Sequence, residues 1–262
     1  MKVYVITHKK FDDNLIKGND IYQPLLVGAS NGNSGEINYL KDNQGKNISN
    51  KNHSFCELTG IYWIWNNEDN DIVGIDHYRR YFVNDSGSLL SKEEIENNLK
   101  KYDAILPQKD PDAFFGKTAA QYFGDRHDPL IWTLCRDIIK EKYPEYIIDF
   151  DWYSYQDAGY SYNMIIAKQQ LINNYNSWLF NILFELDKKV NLKNYTEYNQ
   201  RMWGFVSERL INVWIHHQKL AVVEYPIKFI GKQKKVKKLI RKIIGNYWKK
   251  THPIFKEQTY EK

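Results

Sequence analysis

The spacing of apolar residues along the chain alternates between a period near two and a period near 3.6, and each switch marks an element. Residues 2–7 (KVYVIT) form a β-rich run, and residues 21–29 (IYQPLLVGA) predict a second strand. Residues 28–52 are crowded with Gly and Asn, the composition of a long loop that either lines a binding site or runs over the surface. Ser54 and Glu57 have capping-box spacing, and Leu58, Ile61, Tyr62 and Trp65 follow at helical intervals, so a helix is predicted over 55–66. A strand over 72–76 runs into the cluster His77-Tyr78-Arg79-Arg80-Tyr81-Phe82. Ser91 and Glu94 open another helix, to about residue 101, and residues 103–107 form the next strand. Asp128-Pro129 supplies an N-cap and a first-turn proline for a helix to residue 142. A buried strand at 161–167 precedes a helix carrying Leu171, Tyr175, Trp178, Leu179, Ile182 and Leu186. A further helix spans 197–216, and residues 221–225 are the last strand. Strands alternating with helices predict an α/β fold: a Rossmann-type mixed sheet flanked by helices.

Charge changes this picture at one end. The chain of 262 residues has 37 Lys and Arg against 32 Asp and Glu, a net charge of +5. Ten of the basic residues and no acidic one lie in residues 228–250, leaving 27 basic against 32 acidic elsewhere. The chain therefore divides into an acidic body, 1–227, and a basic tail, 228–262. Within the tail, Val236, Leu239, Ile240, Ile243, Ile244, Tyr247 and Trp248 recur at helical spacing among Lys and Arg. This C-terminal basic amphipathic helix has the pattern of a segment that lies on an anionic membrane through residues 232–250. No nucleic-acid partner is expected from an acidic body. Two cysteines, Cys56 and Cys135, make no disulfide framework and fit a reducing, cytoplasmic setting. Phosphate-loop, dinucleotide and nucleophile-elbow fingerprints are all missing from the sequence, which removes the main support for those enzyme classes.

Chemistry gathers at two places. The strand ending in Asp76, His77, Arg79 and Arg80 puts a carboxylate, an imidazole and two guanidiniums where open α/β sheets collect ligands. Paired arginines match the oxygens of a diphosphate, and Asp76 or His77 is a candidate ligand for a bridging Mn²⁺ or Mg²⁺. Three Asp-x-Asp pairs (Asp69/Asp71, Asp110/Asp112 and Asp149/Asp151) stand where roughly one is expected by chance, a weak signal of a metal motif. The second place is RMWGFVSERL, residues 201–210. There Arg201 and Glu208 share a helix face, and apolar neighbours would raise the pKa of Glu208 towards that of a general base. An ion pair of Glu208 with Arg201 or Arg209 is the competing reading. His8 and Lys9, just past the first strand, are candidates for the nucleotide. Glu57 is explained by its cap alone.

Four segments together carry a resemblance: ELTGIYWIWNN (57–67), VGIDHYRRYF (73–82), YNMIIAK (162–168) and RMWGFVSERLINVWI (201–215). Over residues 2–226 the chain resembles the bacterial capsular and exopolysaccharide glycosyltransferases long grouped as a domain of unknown function, some of which are galactofuranosyltransferases. The resemblance implies a GT-A-like fold and transfer of a sugar from a nucleotide diphosphate, UDP-linked and including UDP-galactofuranose, to a glycan or lipid-linked acceptor. The implied setting is the cytoplasmic face of the bacterial membrane. By position, the family's His-Tyr-Arg-Arg motif falls on His77 to Arg80, the following strand on Asn163 and Met164, and its Glu-Arg-Leu motif on Glu208 to Leu210. Joined to the reading of the residues above, donor binding is expected of His8, Lys9, Arg79, Arg80, Arg201 and Arg209, acceptor binding of Tyr162 and Asn163, and catalysis of Glu208, His77 and Asp76. Two other readings stand beside it: a non-enzymatic protein that binds nucleic acid or a partner through the tail, and a transferase of sugar phosphates.

Overall fold

A computed structural model describes residues 1–231 together with 243–245 and 247. By internal contacts the chain forms two units, residues 1–108 with 160–231, and residues 109–159 with 232–262. The sequence-based division at residue 227 differs from this one. Residues 227–229 still pair as a strand in the first unit, and the excursion at 109–159 carries no linker composition that would reveal it.

The first unit is built on one sheet ordered β3-β2-β1-β4-β7-β6-β8. Its strands are β1 (Lys2–Thr7), β2 (Tyr22–Leu26), β3 (Leu40–Lys41), β4 (Ile72–His77), β6 (Ala104–Pro107), β7 (Ile165–Lys168) and β8 (Val222–Tyr225). Two short strands, β5 (Arg80–Phe82) and β9 (Ile227–Phe229), pair with each other, and β5 also pairs with the end of β4. The β1–β2, β1–β4, β2–β3 and β6–β8 pairs are parallel. Strand β7 runs antiparallel to both neighbours, β4 and β6, which makes the sheet mixed. The predicted α/β fold with a helix-flanked mixed sheet is the one observed.

Strand β4 lies near the centre, and its alternation divides its side chains between two faces. Gly74 and Asp76 pair with Val3 and Val5 on the face that buries Tyr81, Phe82, Leu90, Ile95 and Ile166. Ile75 and His77 pair with Tyr4 and Ile6 on the other face. Helices α1 (Asn52–Phe55), α2 (Leu58–Asn67), α7 (Gln169–Lys189) and α8 (Met202–Gln218) pack among themselves on this unit. Tyr62 meets Phe180 edge-on with ring centroids 5.1 Å apart, and Trp65 stacks on Phe180 at 5.8 Å. Gly60 allows α2 to press on the sheet, because a Cβ there would come within 2.7 Å of Val27. Helix α3 (Lys92–Leu99) begins with the predicted capping box, Ser91 and Glu94 each bonding the other's backbone N–H.

The second unit holds α4 (Ala119–Gly124), α5 (Pro129–Lys142) and α6 (Ile147–Ser154). Asp128 caps α5 through the N–H of Leu130 and Pro129 starts it, as the sequence predicts. Trp132 packs on Phe150 and donates to the Ser154 hydroxyl at 3.1 Å, while Arg136 grips Asp151 with two bonds of 2.6 Å. One of the chance-level Asp-x-Asp pairs is therefore engaged in fastening α5 to α6. Residues 243–245 and 247 are helical, with Ile243, Ile244 and Tyr247 exposed. The remainder of the predicted basic helix, 232–250, lies outside the described residues. No described helix is long and apolar enough to cross a membrane.

Candidate functional site

The carboxyl ends of β1 and β4 open into a cavity of about 670 Å³ within the first unit. This is the position where strand order leaves a crevice in open α/β sheets, between the parallel pair β1 and β4. Ile6, Thr7 and His8 come from the end of β1, and His77 to Arg80 from the end of β4 and the turn beyond it. Arg201, Phe205 and Glu208 come from one face of α8 and its N-cap. Helix periodicity gathers the second cluster on one face of α8, and the packing of that face over the strand ends brings it to the first.

Three guanidiniums line this cavity, and none makes an ion pair with a carboxylate among the described residues. Aromatic and sulfur contacts place them instead. Arg79 lies 4.9 Å from the Tyr78 ring, and Arg80 sits between Tyr162 at 4.6 Å and Phe229 at 5.7 Å. Arg201 reaches over Phe205 at 5.6 Å and donates from Nε to the Cys56 sulfur at 3.3 Å. Burial, assisted by Lys9, Arg79 and Arg201, lowers the pKa of His8, so its imidazole is neutral near pH 7. Burial and Arg80 likewise push His77 down to about 4. His77 Nε2 donates to the Tyr162 carbonyl at 2.6 Å.

Two carboxylates face these cations. The Glu208 side chain is 22% exposed and pairs with Arg209 at 3.0 Å. Burial raises its pKa, with Arg209 opposing and Glu57 adding to the rise. The competing reading of Glu208, an ion pair with Arg209, and its place on the cavity wall therefore hold together. Glu57 departs from its expected role. Cys56, at φ 51°, breaks the chain between α1 and α2, so Ser54 falls inside α1 and Glu57 makes no capping bond. Its carboxylate turns into the cavity and accepts from Asn163 Nδ2 at 2.7 Å.

Tyr162 and Asn163 are consecutive left-handed residues, at φ 76° and 51°, just before β7. Such a conformation costs of order 1–3 kcal/mol per residue and persists only where surroundings enforce it. Here His77 holds the Tyr162 carbonyl, and Asn163 is fixed between Glu57 and the Gly204 carbonyl. The strand predicted at 161–167 starts later for this reason. Tyr162 keeps its ring on the cavity, whereas Asn163 is buried behind it and acts through Glu57.

Two further candidates lie elsewhere. Asp76 is wholly buried on the opposite face of β4, and burial raises its pKa well above the ordinary value for an aspartate, with the Phe82 backbone opposing the rise. Asp76 and His77 cannot ligate one ion, because adjacent strand residues point to opposite faces. No described cluster of three or more His, Cys, Asp or Glu suits a metal. Asp76 is corrected from ligand and catalytic candidate to core residue. Arg209 is also buried off the cavity, bonded to Glu208. Lys9 lies beside the cavity with its ammonium 6.0 Å from the Tyr78 ring.

The rim of the cavity is held by a buried hub that the sequence does not announce. Asp42 accepts from the N–H groups of Gly28 and Ala29 at 2.9 and 3.1 Å, and from the hydroxyls of Ser49 and Thr59 at 2.5 and 2.6 Å. Gly28 is required there, with φ 68° and no room for a Cβ between Asn33 and Asn52. The Gly/Asn-rich segment is consequently an ordered wall that carries Asn52 and His53 to the cavity.

The chain belongs to a family described as a domain of unknown function (DUF4422), whose model matches residues 2–219. None of the curated proteins matches it. Among solved structures it is similar to the apo structure of WbbM, a bifunctional glycosyltransferase, with 28% identity and a TM-score of 0.79. The match covers 88% of this chain and 45% of the WbbM chain, so the chain spans less than half of that protein.

Proposed function

We propose that this DUF4422 protein is a glycosyltransferase that moves a sugar from a nucleotide diphosphate, UDP-linked, onto a hydroxyl of a growing or lipid-linked glycan. The observation that carries the reading is the set Arg79, Arg80 and Arg201, three guanidiniums without carboxylate partners in a cavity at the β1/β4 crevice. Guanidiniums that make no close ion pair in a partly desolvated wall are suited to an anion that completes them, and a diphosphate matches their forked donors. The likeness to WbbM supports transferase chemistry in particular.

In the transfer step, the acceptor oxygen bonds to the anomeric carbon as the bond from that carbon to the diphosphate oxygen breaks. The electron pair leaves with the diphosphate, whose charge the arginines neutralise. The acceptor proton passes to Glu208, whose pKa is raised towards the range useful to a base. Wild-type turnover in Glu208→Gln would exclude this role. No step is routed through Mn²⁺ or Mg²⁺, because Asp76 and His77 do not form a ligand pair. The family resemblance makes UDP-galactofuranose the first donor to test and capsular or exopolysaccharide the first product class. Residues 232–250, with their excess of Lys and Arg, are proposed to hold the protein on the anionic cytoplasmic leaflet.

The test is a thermal-shift screen of UDP, GDP, ADP and CMP with EDTA or Mn²⁺. UDP is expected to raise Tm in both conditions, by linkage of binding to folding. A chain stabilised by no nucleotide would refute the reading.

A further inference from the structure

The junction between α1 and α2 turns on a residue in a strained conformation. Cys56 has φ 51° and ψ −126°, a combination that glycine adopts freely and that a residue with a Cβ holds only under constraint. Asn52 supplies the constraint. Its carbonyl accepts from the Cys56 N–H at 2.8 Å, and its Nδ2 donates to the Cys56 carbonyl at 2.7 Å and to the Thr59 hydroxyl at 3.1 Å. Thr59 in turn donates to Asp42, so the turn is fastened to the buried hub. Glycine would make this turn with less strain, yet the position carries a thiol directed at α8. The sulfur lies on the cavity wall, 3.7 Å from where a Gly204 Cβ would stand, and accepts from Arg201 Nε at 3.3 Å.

We propose that this strained junction positions Arg201 for the diphosphate, the Cys56 sulfur holding Nε so that the two terminal nitrogens of the guanidinium meet the ligand's oxygens. This rests on the reading of the three arginines as the diphosphate site. Phe205 lies under the guanidinium and Cys56 sets its direction, which leaves the terminal nitrogens as the fork that matches a phosphate. The chemistry of the holder matters. Burial, with Glu57 adding to it and Arg201 opposing, pushes the Cys56 thiol up to about 12, so at pH 7 it is uncharged. An uncharged acceptor orients the arginine without neutralising it. A carboxylate in the same place would pair with Arg201 and compete with the incoming anion. Cys56 is thus a positioning residue, and the strain of its backbone is the consequence of placing a side chain where the turn itself favours none.

The experiment is calorimetric titration of UDP and of inorganic pyrophosphate into the full chain at pH 7, with thermal denaturation of every variant. Cys56→Gly removes the sulfur and relieves the turn. Its Tm should hold or rise while affinity for both anions falls about threefold to tenfold, the size of one hydrogen bond. Cys56→Ser keeps an acceptor and should bind within about twofold of wild type, whereas Cys56→Asp should lose more than Cys56→Gly. Arg201→Lys keeps the charge but not the guanidinium, and in that background Cys56→Gly should change affinity by less than about twofold. Unchanged affinity in Cys56→Gly overturns the proposal, as does an equal loss with and without Arg201→Lys. A loss of affinity that comes with a fall in Tm and is not restored by serine also overturns it, since Cys56 would then serve the fold alone. Should wild type bind pyrophosphate but not UDP, with the variants in the expected order, the nucleotide reading fails and the positioning role stands. Should all variants bind UDP as wild type does, the positioning role fails and the nucleotide reading stands.

Discussion

The Asp42 hub and the cavity wall both gather charged and polar groups, but they are balanced in opposite ways. Around Asp42, two backbone N–H groups and two hydroxyls converge on one buried carboxylate. In the cavity, three guanidiniums make no ion pair among the described residues and are steered by rings and a sulfur. Satisfied polar groups stabilise a fold, whereas unsatisfied ones are retained at a cost in stability and mark a ligand's place. The difference separates the residues that build the wall from those that work at it.

The largest test of this contrast is Asp42→Ala. Removing the carboxylate strands buried donors, and urea denaturation should show a loss of about 3–5 kcal/mol. A loss below 1 kcal/mol would mean that the hub is not a structural centre. Arg79→Ala/Arg80→Ala should behave in the opposite sense. Two charge-assisted contacts of about 1.5–3 kcal/mol each predict at least a 100-fold weaker UDP affinity by calorimetry. Stability should stay within about 1 kcal/mol, since the lost ring contacts are of that size. If the double variant unfolds and UDP affinity persists, the comparison is inverted.

His77 belongs to both regions, lining the cavity while pinning a strained turn. Its folded pKa of about 4 is below the unfolded 6.5, so the unfolded chain binds more protons between these values. Stability therefore falls as pH drops from 6.5 towards 4, by about 3 kcal/mol for this group. His77→Gln, which preserves a donor to the Tyr162 carbonyl, should flatten that part of the acid limb in pH-dependent denaturation. Asp76→Asn carries the smallest expected effect. The raised pKa of Asp76 means that the unfolded state gains from ionisation above about pH 4, a gain that Asn abolishes. The variant should have a higher Tm at pH 8 and no advantage at pH 3. An equal or lower Tm at pH 8 would show that the carboxyl is used in the fold.

Local chemistry was the most legible part of the sequence. Ser91 with Glu94, and Asp128 with Pro129, need only neighbours within four residues, and both caps form as read. Arg201 and Glu208 were placed together by helix period alone. Glu57 was misread because the spacing Ser54-x-x-Glu57 is blind to the backbone of Cys56, whose left-handed φ redirects the chain between two helices. Asp42 had no local signature at all, because its partners at Gly28, Ala29, Ser49 and Thr59 are set by tertiary approach. The faces of β4 were half legible. Alternation separates Asp76 from His77, but the sequence does not say which face the cavity occupies until β1 and β2 are paired beside it.

That alternation makes the end of β4 a parity device. Shifting it by one residue would carry the Asp76 carboxylate to the cavity and the His77 imidazole into the core. Each would arrive in the wrong surroundings: a carboxylate among the three cavity arginines, and an imidazole among the apolar side chains of the core. A shift by two would restore the faces. An insertion or deletion of odd length in this stretch would therefore exchange the two faces, and one of even length would keep them.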